Sequence, residues 1–154
     1  MRAYKVYSIE NGTVIDHIPA ENGLALISLL GLHRRGSVVT MGTNFASKKL
    51  GKKDIVKIEN RELTPDEFNQ VSLIAPEATI NIIRASKNIK KYTIAMPAFF
   101  ERIIKCPNHK CITNSEACAT KFYSQMKGKS LSLRCHYCEK VFSQDEIKNH
   151  IPRL

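Results

Sequence analysis

Two close pairs of cysteines in the last third of the chain restrict its folding and chemistry more than any other feature. Four residues separate Cys106 from Cys111, and two separate Cys135 from Cys138. Each pair lets two thiolates approach one ion from a tight turn, and two pairs complete a closed tetrahedral site. The spacing predicts one structural zinc ion per chain, an iron–sulfur cluster being the alternative. With four protein ligands, no position is left for a catalytic water.

Three further residues near the pairs are weaker ligand candidates. His109 and His136 lie inside the two knuckles, but His109 would give a different spacing from the complete cysteine set. We therefore interpret both histidines as neighbours of the metal site or as solvent-facing residues. Cys118 lies between two alanines outside both pairs, which indicates a small buried residue and not a fifth ligand.

The cysteine count and the first residues together favour a cytoplasmic protein. Five cysteines is an odd number, and their pairing suits a metal site in a reducing compartment better than a secreted disulfide framework. The segment MRAYKVYSIENG lacks the apolar core of a secretory signal. No stretch reaches the roughly 18 uninterrupted apolar residues of a membrane span, so we expect no membrane association.

Hydrophobic patterning before the cysteines predicts an α+β domain. β-Branched and aromatic runs predict strands, residues 13–18 begin extended, and helices are expected over 20–30 and 64–74. The order strand, helix, strand, strand, helix, strand is that of a ferredoxin-like βαββαβ sandwich. The strands are expected at residues 4–9, 37–41, 55–58, 78–83 and, as a further one, 89–94, with a lysine-rich loop over 48–53.

Helix boundaries are indicated by capping residues. In the first helix, Leu24, Ile27 and Leu30 are expected on one face, and Gly31 is expected to end the helix. The second begins at the N-cap Thr64, with Pro65 at its first position and Glu67 completing a capping box. A third, short helix is expected after Ser143, which has the same capping-box spacing.

The chain changes character after Met96-Pro97, which predicts two domains, residues 1–97 and 98–154. The second segment carries the cysteine pairs and only short strand signals. A segment this small rarely buries enough apolar surface to fold without a metal or disulfides. The sequence therefore predicts a small zinc-bound antiparallel β domain after the sandwich.

The chain has a net charge of +10 that is spread over both segments. Residues 1–97 contain 14 Lys/Arg against 9 Asp/Glu, and residues 98–154 contain 10 against 5, so each segment is +5. Such a protein attracts nucleic acid, free nucleotides or acidic protein surfaces, and charge alone does not choose among them. Part of the positive charge also compensates the four thiolates.

Four sequence blocks resemble the regulatory chain of aspartate carbamoyltransferase. The first is Gly12-Thr-Val-Ile-Asp-His-Ile-Pro19, and the second is Gly51-Lys-Lys-Asp-Ile-Val-Lys-Ile-Glu-Asn60. The third is Ala75-Pro-Glu-Ala-Thr-Ile-Asn81, and the last is the cysteine knuckles with Cys135-His-Tyr-Cys-Glu139 and Phe142. These blocks span most of the chain in the order found in that family.

The resemblance implies a non-catalytic allosteric subunit in pyrimidine biosynthesis. In that family the first domain binds the effectors CTP, ATP and UTP, two such domains form a regulatory homodimer, and the zinc domain contacts the catalytic chain. The complete assembly contains six catalytic and six regulatory chains. The absence of a glycine-rich phosphate loop or a nucleophile elbow agrees with a subunit that has no catalysis of its own.

The resemblance also implies a set of nucleotide-binding residues. Lys91 and His17 would face the triphosphate, with Lys90 as the alternative to Lys91, and Lys57 would lie at the ribose. Asp16 would approach the base and ribose, and Lys53 would contribute local electrostatics. The base pocket would be lined by Val6, Ser8, Ile9 and Ile83. Without the resemblance, the lysines read as solvated surface residues and the isoleucines as core.

Two other functions compete with this interpretation. A zinc-ribbon protein that binds nucleic acid would suit the charge and the metal knuckles. The even charge distribution and the lack of an aromatic–basic stripe in the sequence make nucleic acid the less favoured partner. A small-molecule sensor for some other enzyme is the third reading, and the Gly12–Pro19 block argues for the named family instead.

Overall fold

The computed structural model describes residues 8–150, and the chain divides into two units between Ala95 and Met96. In the first unit, the described strands and helices follow the order strand, helix, strand, strand, helix, strand expected from the sequence, with one further strand at the end. They are β1 (Gly12–Pro19), α1 (Gly23–Leu30), β2 (Val39–Ser47), β3 (Gly51–Glu59), α2 (Pro65–Ile74), β4 (Thr79–Arg84) and β5 (Lys87–Thr93).

The strands of the first unit form one antiparallel sheet in the order β2-β3-β1-β4-β5. The first four strands in this order are those of a split βαβ sandwich, and β5 extends the sheet at one edge. The α+β class is thus confirmed, with two antiparallel sheets and few helices in the described part of the chain.

One face of this sheet packs against α1 and α2. Alternate residues of each strand point to this face because side chains in a strand alternate with a period of two. The helices contribute the residues of their own apolar stripes. The fully buried side chains include Ile15, Ile18, Leu26, Leu30, Ile58, Leu73, Ile74 and Ile80.

Helix α2 begins as the sequence predicts. The Thr64 side chain accepts a hydrogen bond from the backbone N–H of Glu67, and the Glu67 carboxylate accepts one from the backbone N–H of Thr64. Arg61 also forms an ion pair with Glu67 at 2.6 Å. The buried Glu67 carboxylate therefore has two partners, the Thr64 N–H and the Arg61 guanidinium.

Helix α1 differs from the expectation at its start and in its buried face. It begins at Gly23 and not at residue 20, because residues 19–22 form a turn in which Asn22 N–H donates to the Pro19 carbonyl. Gly31 ends the helix in the left-handed conformation, as expected. Leu24 is 57% exposed, whereas Ile27 and Leu30 are buried together with Leu26, so Leu24 does not share the buried face of the other two predicted residues.

The strands also differ in extent from the predictions. β2 and β3 are longer than the segments 37–41 and 55–58, and residues 51–53 of the expected lysine-rich loop lie in β3. Lysine side chains at a sheet edge or on an open face do not interrupt a strand. Of the strand expected over residues 4–9, residues 4–7 lie outside the described residues, and Ser8 and Ile9 are not in a strand.

The second unit is a four-stranded antiparallel meander in the order β6-β7-β8-β9, as far as residues 96–150 are described. Its elements are β6 (Phe99–Glu101), β7 (Lys121–Lys127), β8 (Ser130–Cys135), β9 (Val141–Ser143) and α3 (Gln144–Lys148). The Ser143 capping box is present at the start of α3. One face of the sheet is buried, and its core residues are Phe100, Phe122, Leu131, Leu133, Phe142 and Ile147.

No helix within residues 8–150 has the length and apolarity that a membrane span requires.

Candidate functional site

The four paired cysteines converge on one point in the second unit. Cys106 and Cys111 lie in the loop after β6, Cys135 ends β8, and Cys138 lies in the turn before β9. Their Sγ atoms all lie within 4.8 Å of one another. The contacts of 3.8 Å join Cys106 to Cys138 and Cys111 to Cys135, one cysteine from each knuckle. This arrangement surrounds one point from four sides, as a metal centre requires.

Backbone and amide hydrogen bonds hold the knuckles in this geometry. The side-chain amide of Asn114 donates to the carbonyls of Cys106 (3.0 Å) and Asn108 (2.7 Å). In the second knuckle, the N–H of Glu139 donates to the Cys135 carbonyl at 3.0 Å. Glu139, directly after Cys138, has a left-handed backbone with φ of 62°, which closes the tight turn that carries both thiols.

The four thiols differ in their acidity. Burial opposes ionisation of Cys111, but hydrogen bonds from the hydroxyl and backbone N–H of Thr113 and from the thiols of Cys135 and Cys106 together lower the pKa of the Cys111 thiol to about 7. The pKa of Cys138 is also lowered, because hydrogen bonds from the N–H of Lys140, the side chain of Asn108 and the thiols of Cys135 and Cys106 together outweigh burial. Burial raises the pKa of Cys106 and Cys135. Two members of the cluster are thus predisposed to the thiolate form that binds metal.

Other candidate ligands lie outside this cluster. His109 is exposed, and the exposed His136 shares a hydrogen bond of 2.8 Å with the Tyr123 hydroxyl. Cys118 is partly exposed and not buried as expected. In the described part of the chain, the four cysteines form the one group of histidine, cysteine and acidic residues that is spaced for a metal ion. A tetrahedral ion held by all four cysteines would have no position left for water, as in structural sites.

The first unit has a second candidate site on the sheet face opposite its helices. Partners across an antiparallel ladder lie on the same face. One cross-strand row on this open face joins Thr40, Lys57, Val14, Asn81 and Lys91, in that order from β2 to β5. Two lysines predicted to bind nucleotide, Lys57 and Lys91, therefore flank a less polar centre in the same row.

A β-bulge in β1 lies next to this row on the open face, two residues beyond Val14 along the strand. Asp16 and His17 together oppose one residue of β3, between the pairs formed by Ile15 and Ile18. His17 has φ of 59°, and its N–H donates to the Asp16 carboxylate at 2.6 Å. A left-handed histidine in a strand is uncommon and is found where the surroundings determine it. The bulge turns two polar side chains out of a central strand.

Asp16 lies at the centre of a polar cluster at this bulge. Its carboxylate forms an ion pair with the Lys53 ammonium at 2.9 Å. His17 Nδ1 lies 3.8 Å from the same carboxylate and 3.4 Å from the Thr79 hydroxyl. The Asp16, Lys53 and His17 side chains are each about one-fifth to three-tenths exposed. The structure thus brings these three candidate residues together.

Lys57 differs electrostatically from an exposed lysine. Burial lowers the pKa of its ammonium below the ordinary 10.5, while the charge of Asp16 acts in the opposite direction. A partly desolvated cation gains more from an anionic ligand than a fully hydrated one, because the ligand replaces lost solvation. Lys57 is therefore suited to a phosphate or a ribose hydroxyl.

Buried Asp54 positions the strand that carries Lys53 and Lys57. Its carboxylate accepts hydrogen bonds from Gly23 N–H (2.9 Å), the Thr43 hydroxyl (2.6 Å) and Asn44 N–H (3.0 Å). Thr43 and Asn44 form a second bulge, in β2, opposite Asp54 itself. One side chain thus joins the start of α1 to the irregular part of the sheet, and it fixes the register of β3.

The remaining predicted residues are distributed around this face. Lys90 pairs with buried Ile82 and lies over the Tyr92 ring at 4.8 Å, so it projects from the side opposite Lys91. Ile83 pairs with Gly12 and is half-buried on the open face. Ser8 is exposed and Ile9 is buried just before β1, and Val6 lies outside the described residues.

Asn81 was not among the predicted site residues. It lies in register between Val14 and Lys91, and its side-chain carbonyl accepts a hydrogen bond of 2.9 Å from Asn88. Its signal in the sequence is an amide between the two isoleucines of the strand TINIIR, on the same side as Thr79. A single amide in a strand does not predict a binding site by itself. It does so only when its neighbours on the adjacent strands are known.

Comparison with known proteins gives matches to both units. Residues 4–95 match the family model described as the aspartate carbamoyltransferase regulatory chain, allosteric domain. Residues 100–148 match that of the metal binding domain of the same chain.

Three similar proteins carry the name aspartate carbamoyltransferase regulatory chain. That of Pyrococcus horikoshii is 48% identical over 96% of this chain and 97% of its own. The relative from Methanothermobacter thermautotrophicus is 46% identical over 94% of this chain and 93% of its own. The one from Phocaeicola vulgatus is 44% identical over 96% of this chain and 94% of its own.

Proposed function

We propose, from the premise that this chain belongs to the family of aspartate carbamoyltransferase regulatory chains, that it senses nucleotides for that enzyme. The chain is a non-catalytic regulatory chain with an allosteric domain and a metal-binding domain. The observation that carries the proposal is that both domain models match in order along one chain. The pathway implied is pyrimidine biosynthesis.

The proposed effector site is the open sheet face of residues 1–97, with CTP, ATP and UTP as ligands. A triphosphate is multiply charged, so its site requires several cations that are not already neutralised by carboxylates of the protein. Lys57 and Lys91 share a cross-strand row, while Lys53 is paired with Asp16 at the bulge. Lys91 and His17 would contact the phosphates, Lys57 the ribose, and Asp16 the base and ribose.

The base would bind at the edge of the same face. The half-buried Ile83 would offer apolar surface and the backbone at Ser8 directed donors and acceptors. Val6 and the buried Ile9 complete the proposed base pocket. Lys91 is preferred over Lys90 because cross-strand partners share a face, and Lys91 pairs with half-buried Asn81 whereas Lys90 pairs with buried Ile82. The pairing therefore supports Lys91 as the phosphate ligand.

The metal proposed for residues 98–154 is one structural zinc ion. Tetrahedral zinc with zinc–sulfur bonds of roughly 2.3 Å has sulfur–sulfur edges of about 3.8 Å. Two Sγ–Sγ distances in the cluster are 3.8 Å, and all lie within 4.8 Å. The four-thiolate set is also the donor set that zinc prefers in closed sites. Cys106, Cys111, Cys135 and Cys138 would hold the ion without an intervening water.

The proposed partners are the catalytic chain and a second copy of this chain. The zinc domain would contact the catalytic chain, and the effector domain would form the regulatory homodimer. We propose an assembly of six catalytic and six regulatory chains in the cytoplasm. Nucleotides would act by binding one quaternary state of this assembly more tightly than the other, since only unequal affinity shifts an equilibrium.

The effector site is tested by calorimetric titration of the zinc-loaded chain with CTP and with ATP at physiological salt. We expect saturable binding that is weakened about tenfold or more by Lys57→Ala and by Lys91→Ala. Lys90→Ala is the matched control, because this neighbouring lysine projects from the other face, and it should change the affinity less than about twofold. Equal losses for Lys90→Ala and Lys91→Ala would contradict the proposed face.

A further inference from the structure

The side-chain amide of Asn81 is already hydrogen-bonded at one end. Asn88 Nδ2 donates a hydrogen bond of 2.9 Å to Asn81 Oδ1. Asn81 lies next to Lys91 in the open-face row, and its Nδ2 has no acceptor within residues 8–150. The amide therefore presents a donor, and not its carbonyl oxygen, to a ligand beside Lys91.

A bulge in β5 brings Asn88 onto the face of Asn81. Asn88 pairs with Ile83, but the register shifts by one residue before the next pair, so Ile89 has no partner in β4. Side chains three positions apart lie on opposite faces of a regular strand, and one extra residue places them on the same face. Asn88 and Lys91 therefore both lie on the open face, and Asn88 reaches Asn81 diagonally across the ladder.

The orientation of the Asn81 amide matters because the two ends of a carboxamide have opposite polarity. A phosphate oxygen is attracted by the N–H end and repelled by the carbonyl end. Without a partner for its oxygen, the Asn81 amide would turn that oxygen toward the Lys91 ammonium, since cross-strand pairs lie within about 5.5 Å at Cβ. The oxygen would then compete with the ligand for Lys91. The hydrogen bond from Asn88 prevents both the repulsion and the competition.

We propose that Asn88 is a positioning residue of the effector site, which holds the Asn81 amide with its N–H available to the phosphate group bound by Lys91. This rests on the proposed function, from which the ligand is taken to be a nucleoside triphosphate. Asn88 acts through Asn81 and makes no contact with the nucleotide itself. Its loss weakens binding because the ligand must then also order and turn the Asn81 side chain.

The same hydrogen bond contributes little to the stability of the sheet. Asn88 is exposed and Asn81 is half-buried, so water replaces either partner when the other is removed. Exchange of an amide–water bond for an amide–amide bond has a small net free energy. The six cross-strand pairs of β4 and β5 hold the edge strand through the backbone. Loss of Asn88 should therefore lower the ligand affinity without lowering the stability of the unit.

A double-mutant cycle tests this role by calorimetric titration of the zinc-loaded chain with CTP and with ATP. Asn88→Leu keeps nearly the same side-chain size and removes the donor. We expect it to weaken binding about fivefold, and Asn81→Ala to weaken it about tenfold. The double variant should bind within about twofold of Asn81→Ala alone, because Asn88 has no effect without the Asn81 amide.

Urea unfolding of each variant separates positioning from a structural role. Asn88→Leu should have a urea midpoint no lower than that of wild type. Asn69→Ala is the matched control, since it removes an amide from α2, on the other face of the sheet, and it should leave the affinity within about twofold of wild type. A lowered midpoint together with a lowered affinity would show that Asn88 holds the strand, and would overturn the inference.

The remaining outcomes distinguish failure of this role from failure of the proposed function. Losses that multiply to about fiftyfold in the double variant would show that Asn88 contacts the nucleotide directly. Wild-type affinity in Asn88→Leu would show that the Asn81 amide requires no positioning. Either result overturns the inference and leaves the proposed function intact. A folded, metal-loaded wild-type chain that binds neither nucleotide would overturn the proposed function, and the role of Asn88 with it.

Discussion

At the scale of single residues, a few side chains with several partners define the candidate effector site. Asp16 forms an ion pair with Lys53 and accepts the N–H of His17 at the bulge. Asp54, the next residue after Lys53, is buried and does not reach the open face of the sheet. Its three donors come from α1 and β2. Adjacent residues of β3 thus serve the site and the fold separately.

Replacement of Asp54 by alanine should destabilise the effector domain by about 3 kcal/mol or more, because three donors lose a charged acceptor. Urea unfolding of the zinc-loaded chain measures this loss. Asp66→Ala is the control, since Asp66 is an exposed residue in the first turn of α2, and it should cost about 0.5 kcal/mol. Similar losses for the two variants would show that the Asp54 contacts contribute little.

The lowered pKa of Lys57 predicts a pH dependence of nucleotide affinity. A lysine is charged below its pKa, so the contribution of Lys57 is complete at neutral pH and is lost as the pH rises through a value below 10.5. Lys57→Arg retains its charge throughout this range. Between about pH 7.5 and about pH 9.5, calorimetry should show a larger loss of affinity for wild type than for Lys57→Arg. Parallel losses would exclude Lys57 as the titrating group.

At the scale of secondary-structure elements, paired strands and their irregularities create the site. Strand β1 pairs with both β3 and β4, and it enters the sheet through Gly12. Gly12 has φ of 139°, and a Cβ there would lie 2.0 Å from the Ile58 carbonyl oxygen. No side chain fits at that position while the β1–β3 ladder is intact.

Gly12→Ala should therefore cost about 3 kcal/mol or more of unfolding free energy. Gly51 is a suitable control in the same unit, because it has φ of 78° but nothing within 4 Å of an added Cβ. Gly51→Ala should cost about 1 to 2 kcal/mol from backbone strain alone. Urea denaturation compares the two variants, and an equal cost would mean that the β1 entrance relaxes.

Local signals in the sequence predicted the elements better than their arrangement. Capping residues placed α2 and α3 because a cap is a contact within four residues. The cysteine spacing indicated the metal centre because the two members of each pair are also close in sequence. The bulges at Asp16-His17 and Thr43-Asn44 were not predicted, since each depends on the partner strand. Asn81 was likewise missed, because cross-strand neighbours have no fixed separation in sequence.

At the scale of the whole molecule, the two units have different sources of stability. The first has a two-layer core of helices packed on a sheet, with Ile15, Ile58 and Ile80 fully buried. The second is smaller, and its cysteine cluster joins the loop after β6 to the end of β8. A domain of this size is expected to depend on its metal.

Removal of the metal with a chelator should unfold the second unit and leave the first folded. Hydrogen exchange measures this directly, with protection expected to fall in β6 to β9 and to persist in β1 to β5. Cys138→Ala should reproduce the effect and abolish assembly with the catalytic subunit. Cys118→Ala is the control, because Cys118 lies outside the cluster, and it should retain metal and protection. Protection of β7 and β8 without metal would contradict the structural role of the ion.

The central claim is that this chain couples nucleotide binding to the activity of a separate catalytic subunit. The most direct measurement is the aspartate saturation curve of the catalytic subunit, alone and assembled with this chain, in the presence and absence of CTP and ATP. We predict that nucleotides leave the isolated catalytic subunit unchanged and shift the curve of the assembly, and that Lys91→Ala in this chain abolishes the shift. The account would be contradicted by an assembly that contains both kinds of subunit and whose aspartate saturation curve is not changed by CTP or ATP.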